Sequence, residues 1–218
     1  MRRVTFRGAF VVAAVLAVAP ALANAATIGG EVFGAVNKYN MSDINDAIDI
    51  ANTNNAQTFD KLPNGVTGGI SIRMWSSPNW MFSGTWEPLY VSTESTVPSS
   101  SKINLDANSF QATGAYFFPT KGHTNAKYGI GAGLGIYSVK GEDTYSVPNT
   151  TVDITGSGVG FHVLGLSEWT VNPGFSITAA AGFRSASVDI DNSATNQTAD
   201  YSGFVGRLGM AFYMPKSK

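Results

Sequence analysis

The sequence predicts an all-β fold, an eight-stranded antiparallel transmembrane β-barrel with a short helix in its first long extracellular loop. Three observations lead to this prediction: segments in which apolar residues alternate with small or polar ones, connections that alternate in length, and an N-terminal secretion segment. Alternation with a period of two residues indicates extended strands, because successive side chains of a strand point to opposite faces.

The first 25 residues have the pattern of a signal peptide. Three arginines precede the apolar run 9–19, and a small-x-small cleavage site ends at Ala25. Such a segment directs secretion and is removed from the mature protein. We therefore expect residues 26–218 to form one barrel domain, located in the bacterial outer membrane after cleavage near Ala25.

The composition argues against several classes of function. The chain has no cysteine, which excludes disulfides, thiolate metal sites and a lipid-anchored cysteine. Once the three N-terminal arginines are removed, acidic residues outnumber basic ones, whereas nucleic-acid binding needs basic patches. No apolar run after the signal segment approaches the roughly 20 residues of a membrane helix, so membrane insertion must use strands.

Eight segments have the character of strands, and we expect them at residues 27–37, 65–75, 80–91, 103–118, 126–139, 152–169, 174–188 and 202–214. Three connections are short and rich in turn-forming residues, at 76–79, 119–125 and 170–173. The other four are longer and rich in Ser, Thr, Asn and Asp, at 38–64, 92–102, 140–151 and 189–201. This alternation is typical of an outer-membrane barrel with both termini in the periplasm.

The fifth segment has one apolar face and one face of nearly bare backbone. The apolar face consists of Tyr128, Ile130, Ala132, Leu134 and Ile136. The opposite face carries Gly129, Gly131, Gly133 and Gly135. We expect the apolar face to meet lipid, and the glycine face to line a narrow lumen and leave room for Arg and Glu side chains opposite.

The fourth segment does not follow the same alternation. Asp106 and Asn108 share a face with Phe110 and Tyr116. This pattern predicts either a β-bulge or a part of the strand that rises above the membrane.

Aromatic residues lie near the ends of the predicted strands, most of them beside the three short turns. They are Trp75, Trp80, Tyr116, Phe117, Phe118, Tyr128, Trp169, Phe175 and Tyr213. We expect them to form an aromatic girdle at the periplasmic interface.

The closing segment, Phe204 to Met214, alternates apolar residues and carries an aromatic pair near its end. Together with the strand pattern of residues 26–214, it resembles the small eight-stranded outer-membrane β-barrel superfamily, which includes the OmpA membrane domain and the OmpX and OmpW proteins. The chain departs from the family pattern because four more residues follow Met214. The resemblance implies a monomer whose partners are the lipid bilayer, lipopolysaccharide and the outer-membrane assembly machinery.

Charged residues recur on the face predicted to line the lumen. They are Glu31, Arg73, Glu87, Glu168, Arg184 and Arg207, and His162 shares their face. Charges in a narrow barrel must be paired or hydrated. They can form a plug of salt bridges that blocks the lumen, or a gate whose pairs exchange to admit small solutes. The plug predicts little or no steady conductance in planar bilayers.

A short helix is predicted at residues 42–51 in the first long loop. Ser42 can cap it, and one face carries Ile44, Ala47, Ile48 and Ala51. Ten residues rarely hold a helix unaided, so the apolar face must dock on another surface. It either packs on the barrel rim or forms a lid over an apolar entrance to the lumen.

We predict no catalytic residues, no metal site and no cofactor. His162 and Glu168 are six strand residues apart, about 20 Å, which is too far for a base and the residue that orients it. Residues 189–200 copy part of a calcium-loop spacing but lack its glycine and its final glutamate.

The predicted function is therefore non-enzymatic: an integral outer-membrane protein with a structural or surface-interaction role. The alternative is a narrow porin-like channel or an OmpW-like carrier for small or hydrophobic molecules. A third possibility, a secreted soluble β-protein, would need the apolar face around Phe82 to pack against the apolar face around Phe183.

Overall fold

The computed structural model describes residues 27–55, 58–62, 64–95, 101–120, 125–146, 149–191 and 198–214. The predicted signal segment and the residues after Met214 lie outside these ranges. The elements in chain order are β1 (Thr27–Lys38), α1 (Ser42–Asn55), β2 (Asn64–Trp75), β3 (Trp80–Ser95), β4 (Ser101–Phe117), β5 (Ala126–Ser146), β6 (Asn149–Asn172), β7 (Phe175–Asp191), β8 (Thr198–Asp200) and β9 (Gly203–Tyr213). No helix in the described ranges is long and apolar enough to span a membrane.

The strands form one closed antiparallel barrel. Each of β1 to β7 pairs with the next strand in the chain, and β9 pairs with both β7 and β1. The three residues of β8 pair with β7, as β9 does, so β8 and β9 occupy the same strand position in the barrel. The predicted eight-stranded barrel is thus confirmed, with its last strand interrupted at residues 201–202. Closure removes the two free edges that an open sheet of these strands would have.

The two faces of the wall agree with the predicted alternation. Large apolar side chains such as Ile72, Leu134 and Leu208 are 65% to 69% exposed on the outside. Phe82 and Phe183 are also exposed there, so the two faces required by the soluble alternative do not pack on each other. The opposite parity of each strand is mostly buried inside the barrel.

The wall is taller on one side than sequence analysis predicted. β6 has 24 residues and β1 has 12, which at about 3.3 Å per residue corresponds to roughly 80 and 40 Å of strand. The predicted connections at 92–102 and 140–151 are largely strand in the described ranges, since β3 runs to Ser95, β5 to Ser146, and β6 begins at Asn149. On β4, Leu105 and Ala107 are buried and Asp106 is exposed.

The register of β4 is continuous against both neighbours. Asp106 pairs with Tyr90 on β3 and with Lys140 on β5. No bulge therefore explains the polar residues of this strand. They belong to the part of the wall that extends beyond the apolar band, which was the second of the two predicted explanations.

The wall has a window between β2 and β3. Their backbone pairing ends at Ile70 and Trp86, although both strands continue. The β2–β3 ladder includes no residue of 64–69, although the Thr67 hydroxyl on β2 donates to Glu87 Oε1 on β3 at 3.2 Å. Pro88 stands at the start of this opening, and proline has no N–H to donate to a neighbouring strand.

The first loop closes the far side of the window. The Thr93 hydroxyl donates a hydrogen bond to the Asp60 carbonyl at 2.9 Å. The Thr58 amide donates to Ser95 Oγ, also at 2.9 Å. The window is therefore bounded above and below rather than being an open slit.

Candidate functional site

The candidate site is the barrel interior, which is filled in three layers. We call the end with the short turns, 76–79 and 173–174, the turn end, and the end that carries α1 the loop end. An aromatic cluster lies at the turn end, the charged residues lie in the middle, and an apolar cluster lies at the loop end. All seven charged and histidine side chains predicted on the inner face lie inside the barrel.

Glu87 on β3 organises the larger group of polar residues, the Glu87 cluster. Its side chain is fully buried, and Oε2 lies 2.5 Å from Nη2 of Arg207 and 3.3 Å from Nη1 of Arg184. Asn37 and Thr67 donate to Oε1 at 3.1 and 3.2 Å. Both oxygens of this carboxylate thus accept hydrogen bonds, which a buried charge requires.

The Arg73 cluster lies closer to the turn end. Arg73 Nη2 is 2.9 Å from Glu168 Oε2, and Nη1 is 3.6 Å from Glu31 Oε1. The Thr178 hydroxyl donates to Glu31 at 2.6 Å, and the Tyr213 hydroxyl donates to Glu168 at 3.0 Å. Each carboxylate therefore has a neutral donor besides the shared guanidinium.

The charges balance across the two clusters but not within each one. The Glu87 cluster holds one carboxylate and two guanidinium groups, and the Arg73 cluster holds two carboxylates and one guanidinium group. The six charges of the two clusters sum to zero, with an excess positive charge on the loop-end side. This separation gives the middle layer a dipole along the barrel axis.

His162 lies apart from the carboxylates of the Arg73 cluster. Its Nε2 is 2.8 Å from the Thr113 hydroxyl, and its Nδ1 has no hydrogen-bond partner among the described residues. Glu168 is held instead by Arg73 and Tyr213. His162 and Glu168 thus have different partners, in agreement with the separation predicted from their spacing along the strand.

A small cavity of about 40 Å³ lies in the middle layer. Polar residues on its wall include Ser71, Arg73, Thr85, Thr113 and Thr178. At roughly 10–15 Å³ for each water, it has room for about three waters. It is much smaller than a pocket for an organic ligand.

The turn end is closed by rings that sequence analysis assigned to the girdle. Trp75 and Phe117 are buried inside with ring centroids 4.7 Å apart, and Trp75 Nε1 donates to the Tyr213 hydroxyl at 3.1 Å. The prediction was wrong for these three residues, because they share the parity of the inward-facing side. Exposed aromatic residues do remain outside, namely Trp80, Phe118, Tyr128 and Trp169.

The loop end is closed by α1, which extends to Asn55 rather than residue 51. Ile44 and Ile48 are buried, and Ala47 and Ala51 are partly buried. Ile44, Ile48 and Ala51 pack in an apolar cluster with inward-facing residues of the tall wall, including Leu89, Val91, Leu105, Val139 and Val188. The helix face thus packs into the mouth of the barrel.

The loop that carries α1 is held to itself by amide side chains. Asn52 Nδ2 donates to the Phe59 carbonyl at 3.0 Å, and the Phe59 amide donates to Asn52 Oδ1 at 2.9 Å. The Leu62 amide donates to Asn45 Oδ1 at 2.9 Å. These bonds fold residues 58–62 back against the helix and bury Phe59 and Leu62.

The glycine face of β5 is directed inward, but its neighbours differ from those expected. An ideal Cβ at Gly133 would lie 2.6 Å from the His162 ring, and one at Gly129 would lie 3.0 Å from the Phe117 ring. The Tyr137 ring lies over Gly135. These glycines therefore make room chiefly for rings rather than for Arg and Glu side chains.

Sequence analysis did not single out the neutral partners of the charges. Asn37, Gln111, Thr113 and Thr178 all take part in the middle layer. The available signal was parity, since each shares the inward face of its strand. Gln111 was obscured by the irregular pattern assigned to the fourth segment.

The described residues include no group of three or more His, Cys, Asp or Glu side chains that could hold a metal ion. Most of the calcium-like spacing falls at 192–197, outside the described ranges.

No protein-family model and no curated protein sequence matches the chain. Its fold is that of the small eight-stranded outer-membrane barrels. The outer-membrane protein OprG from Pseudomonas aeruginosa superposes with a TM-score of 0.58 at 9% identity, over 88% of this chain and 97% of that one.

Two further solved structures share the architecture. A major outer-membrane protein from Thermus thermophilus gives a TM-score of 0.53 at 9% identity, over 86% of this chain and 99% of that one. Ail, the attachment invasion locus protein of Yersinia pestis, gives 0.51 at 11% identity over the same shares, and its structure contains the heparin analogue sucrose octasulfate. At these identities the likeness establishes the fold.

Proposed function

We propose that the protein is an integral, non-enzymatic and non-conducting barrel of the bacterial outer membrane with a structural or surface-contact role. The observation that carries this proposal is the filled interior. Rings close the turn end, paired charges fill the middle, and α1 packs into the loop end. A solute would have to displace all three layers to pass along the axis.

The outer surface supports membrane insertion. A closed barrel satisfies its backbone hydrogen bonds in lipid, and the outward side chains form an apolar band. In this proposal the short turns face the periplasm, and the polar upper part of β3 to β7 extends beyond the lipopolysaccharide-containing leaflet. That raised wall is the part available for surface contact.

Membrane extraction tests this proposal. We expect the protein to remain in the envelope pellet after a carbonate or high-salt wash, because its apolar band is buried in lipid. We also expect its folded band to shift on heating in a detergent gel. Release by carbonate together with the absence of a heat-dependent shift would contradict the membrane barrel.

A second candidate function is carriage of small apolar molecules through the side of the barrel. Two observations favour it. The window between β2 and β3 leaves backbone of both strands unpaired with each other, and the interior at this end of the barrel is the apolar cluster under α1. This route bypasses the charged layer, so it does not require axial conductance.

A further inference from the structure

The apolar cluster at the loop end contains three tyrosine hydroxyls that make no well-formed hydrogen bond among the described residues. Tyr39, Tyr137 and Tyr201 are 4%, 1% and 0% exposed, and none of the three hydroxyls makes a hydrogen bond within that part of the chain. Leaving a buried hydroxyl unpaired costs stability, whereas phenylalanine would fill the same space without that cost. Arg184 lies close to the Tyr39 and Tyr137 hydroxyls but can only donate hydrogen bonds, so the hydroxyl protons lack an acceptor.

The tyrosines gather around one guanidinium group. The rings of Tyr39 and Tyr201 are edge to face at 5.4 Å. The guanidinium carbon of Arg184 lies 5.9 Å from the Tyr39 ring and 6.0 Å from the Tyr137 ring. Arg184 belongs to the Glu87 cluster, which has an excess positive charge. The surroundings of the three hydroxyls are thus suited to an anion.

Two of the tyrosines, Tyr39 and Tyr201, lie beyond the membrane-spanning strands. Burial raises the pKa of Tyr39 and of Tyr201 above the ordinary tyrosine value. Both hydroxyls therefore keep their protons at neutral pH and act as donors.

The side chains packed around the three tyrosines are apolar. They include Leu89, Leu105 and Val188 of the barrel wall and Ile48 of α1. An ideal Cβ at Gly65 would lie 2.8 Å from the Tyr39 hydroxyl. Gly65 borders the window, so the hydroxyl lies just inside it.

We propose that the protein binds a monocarboxylate with an apolar tail in the region under α1. The carboxylate accepts hydrogen bonds from the three tyrosine hydroxyls near Arg184, and the tail takes the place that Ile44 and Ile48 now fill. This inference rests on the second candidate function and names its substrate class. Charge complementarity selects the acid over an alcohol or an amine of equal length.

Octanoate binding to the full barrel in phospholipid nanodiscs tests the proposal, with empty nanodiscs subtracted. We expect the variant Tyr39→Phe/Tyr137→Phe/Tyr201→Phe to lose about tenfold or more in affinity, because hydrogen bonds to a charged group are lost while the rings remain. Tyr90→Phe, on an exposed tyrosine outside the barrel, should leave affinity unchanged. The single variant Tyr39→Phe replaces the triple variant if the latter does not fold.

A variant in α1 provides an independent test, in which the affinity for octanoate should rise instead of fall. Ile48→Ala vacates space that the tail would use, so octanoate should bind more tightly. Ile50→Ala, at a position 61% exposed on the same helix, should have no effect. A site that is only an apolar core would lose stability in Ile48→Ala and gain no affinity.

The outcomes separate this proposal from the functions on which it builds. Equal affinity of the wild type and the phenylalanine variants, or equal binding of 1-octanol and octanoate, would overturn recognition of the acid while apolar carriage stands. Binding of neither compound would overturn both the inference and the carrier candidate. Neither result would bear on the filled, membrane-inserted barrel.

Discussion

Glu87→Gln lowers the free energy of unfolding by about 3–5 kcal/mol, the usual cost of removing one partner from a buried ion pair. The variant leaves Arg184 and Arg207 inside the barrel with no carboxylate in contact among the described residues, since Glu87 is the acidic partner of both. The amide keeps the volume of the side chain, so the loss arises from charge rather than from a cavity. Urea titration in phospholipid vesicles measures the change.

Glu31→Gln is the matched control. Glu31 lies 3.6 Å from Arg73, which keeps its 2.9 Å partner Glu168 in this variant. The Arg73 cluster then becomes a neutral pair, and we expect a cost of about 1 kcal/mol or less. Equal costs for the two variants would contradict the assignment of Glu87 as the centre of the middle layer.

Gly133→Leu prevents assembly of the barrel. Even the first carbon of the side chain would lie 2.1 Å from the Ala112 carbonyl oxygen and 2.6 Å from the His162 ring. The ring can turn, but the carbonyl belongs to the β4 ladder and cannot move without breaking it. Overfilling a packed interior costs about 1–3 kcal/mol even without a backbone clash, so the heat-shifted folded band should fall to a small fraction of wild type.

The neighbouring positions provide the controls for Gly133→Leu. At Gly131 the nearest contacts are side chains at 3.0 to 3.3 Å, so Gly131→Leu should reduce folding less. Ala132 faces outward, and Ala132→Leu should be tolerated. Similar folding yields for the variants at 132 and 133 would mean that the assigned faces of β5 are incorrect.

The fold was predictable because one physical rule governs most of the chain. A strand with a period of two must place Ile130 and Gly131 on opposite faces. Ile130 is accordingly exposed and Gly131 is buried. The same rule places Arg73, Glu87 and Arg207 inside. It would also have placed Trp75 and Phe117 inside, but their position beside turns favoured the girdle.

Other features depend on contacts between distant parts of the chain. The window requires the registers of β2 and β3 together, and Pro88 alone indicates only a weak point in a ladder. The pairing of Arg184 with Glu87 joins residues 97 positions apart. The sequence prediction placed several strand ends too early at the loop end. Ser, Thr and Asn outside the apolar band are also the residues typical of loops, so the strands there were taken for connections.

The central claim is that the interior is filled, and recording of single channels in planar bilayers tests it most directly. The purified barrel, with its heat-shifted band verified before insertion, should give little or no steady conductance in concentrated potassium chloride. The predicted trace stays at the baseline because the rings at the turn end, the paired charges and α1 each obstruct the axis. Large, stable openings of the wild-type barrel would contradict the account.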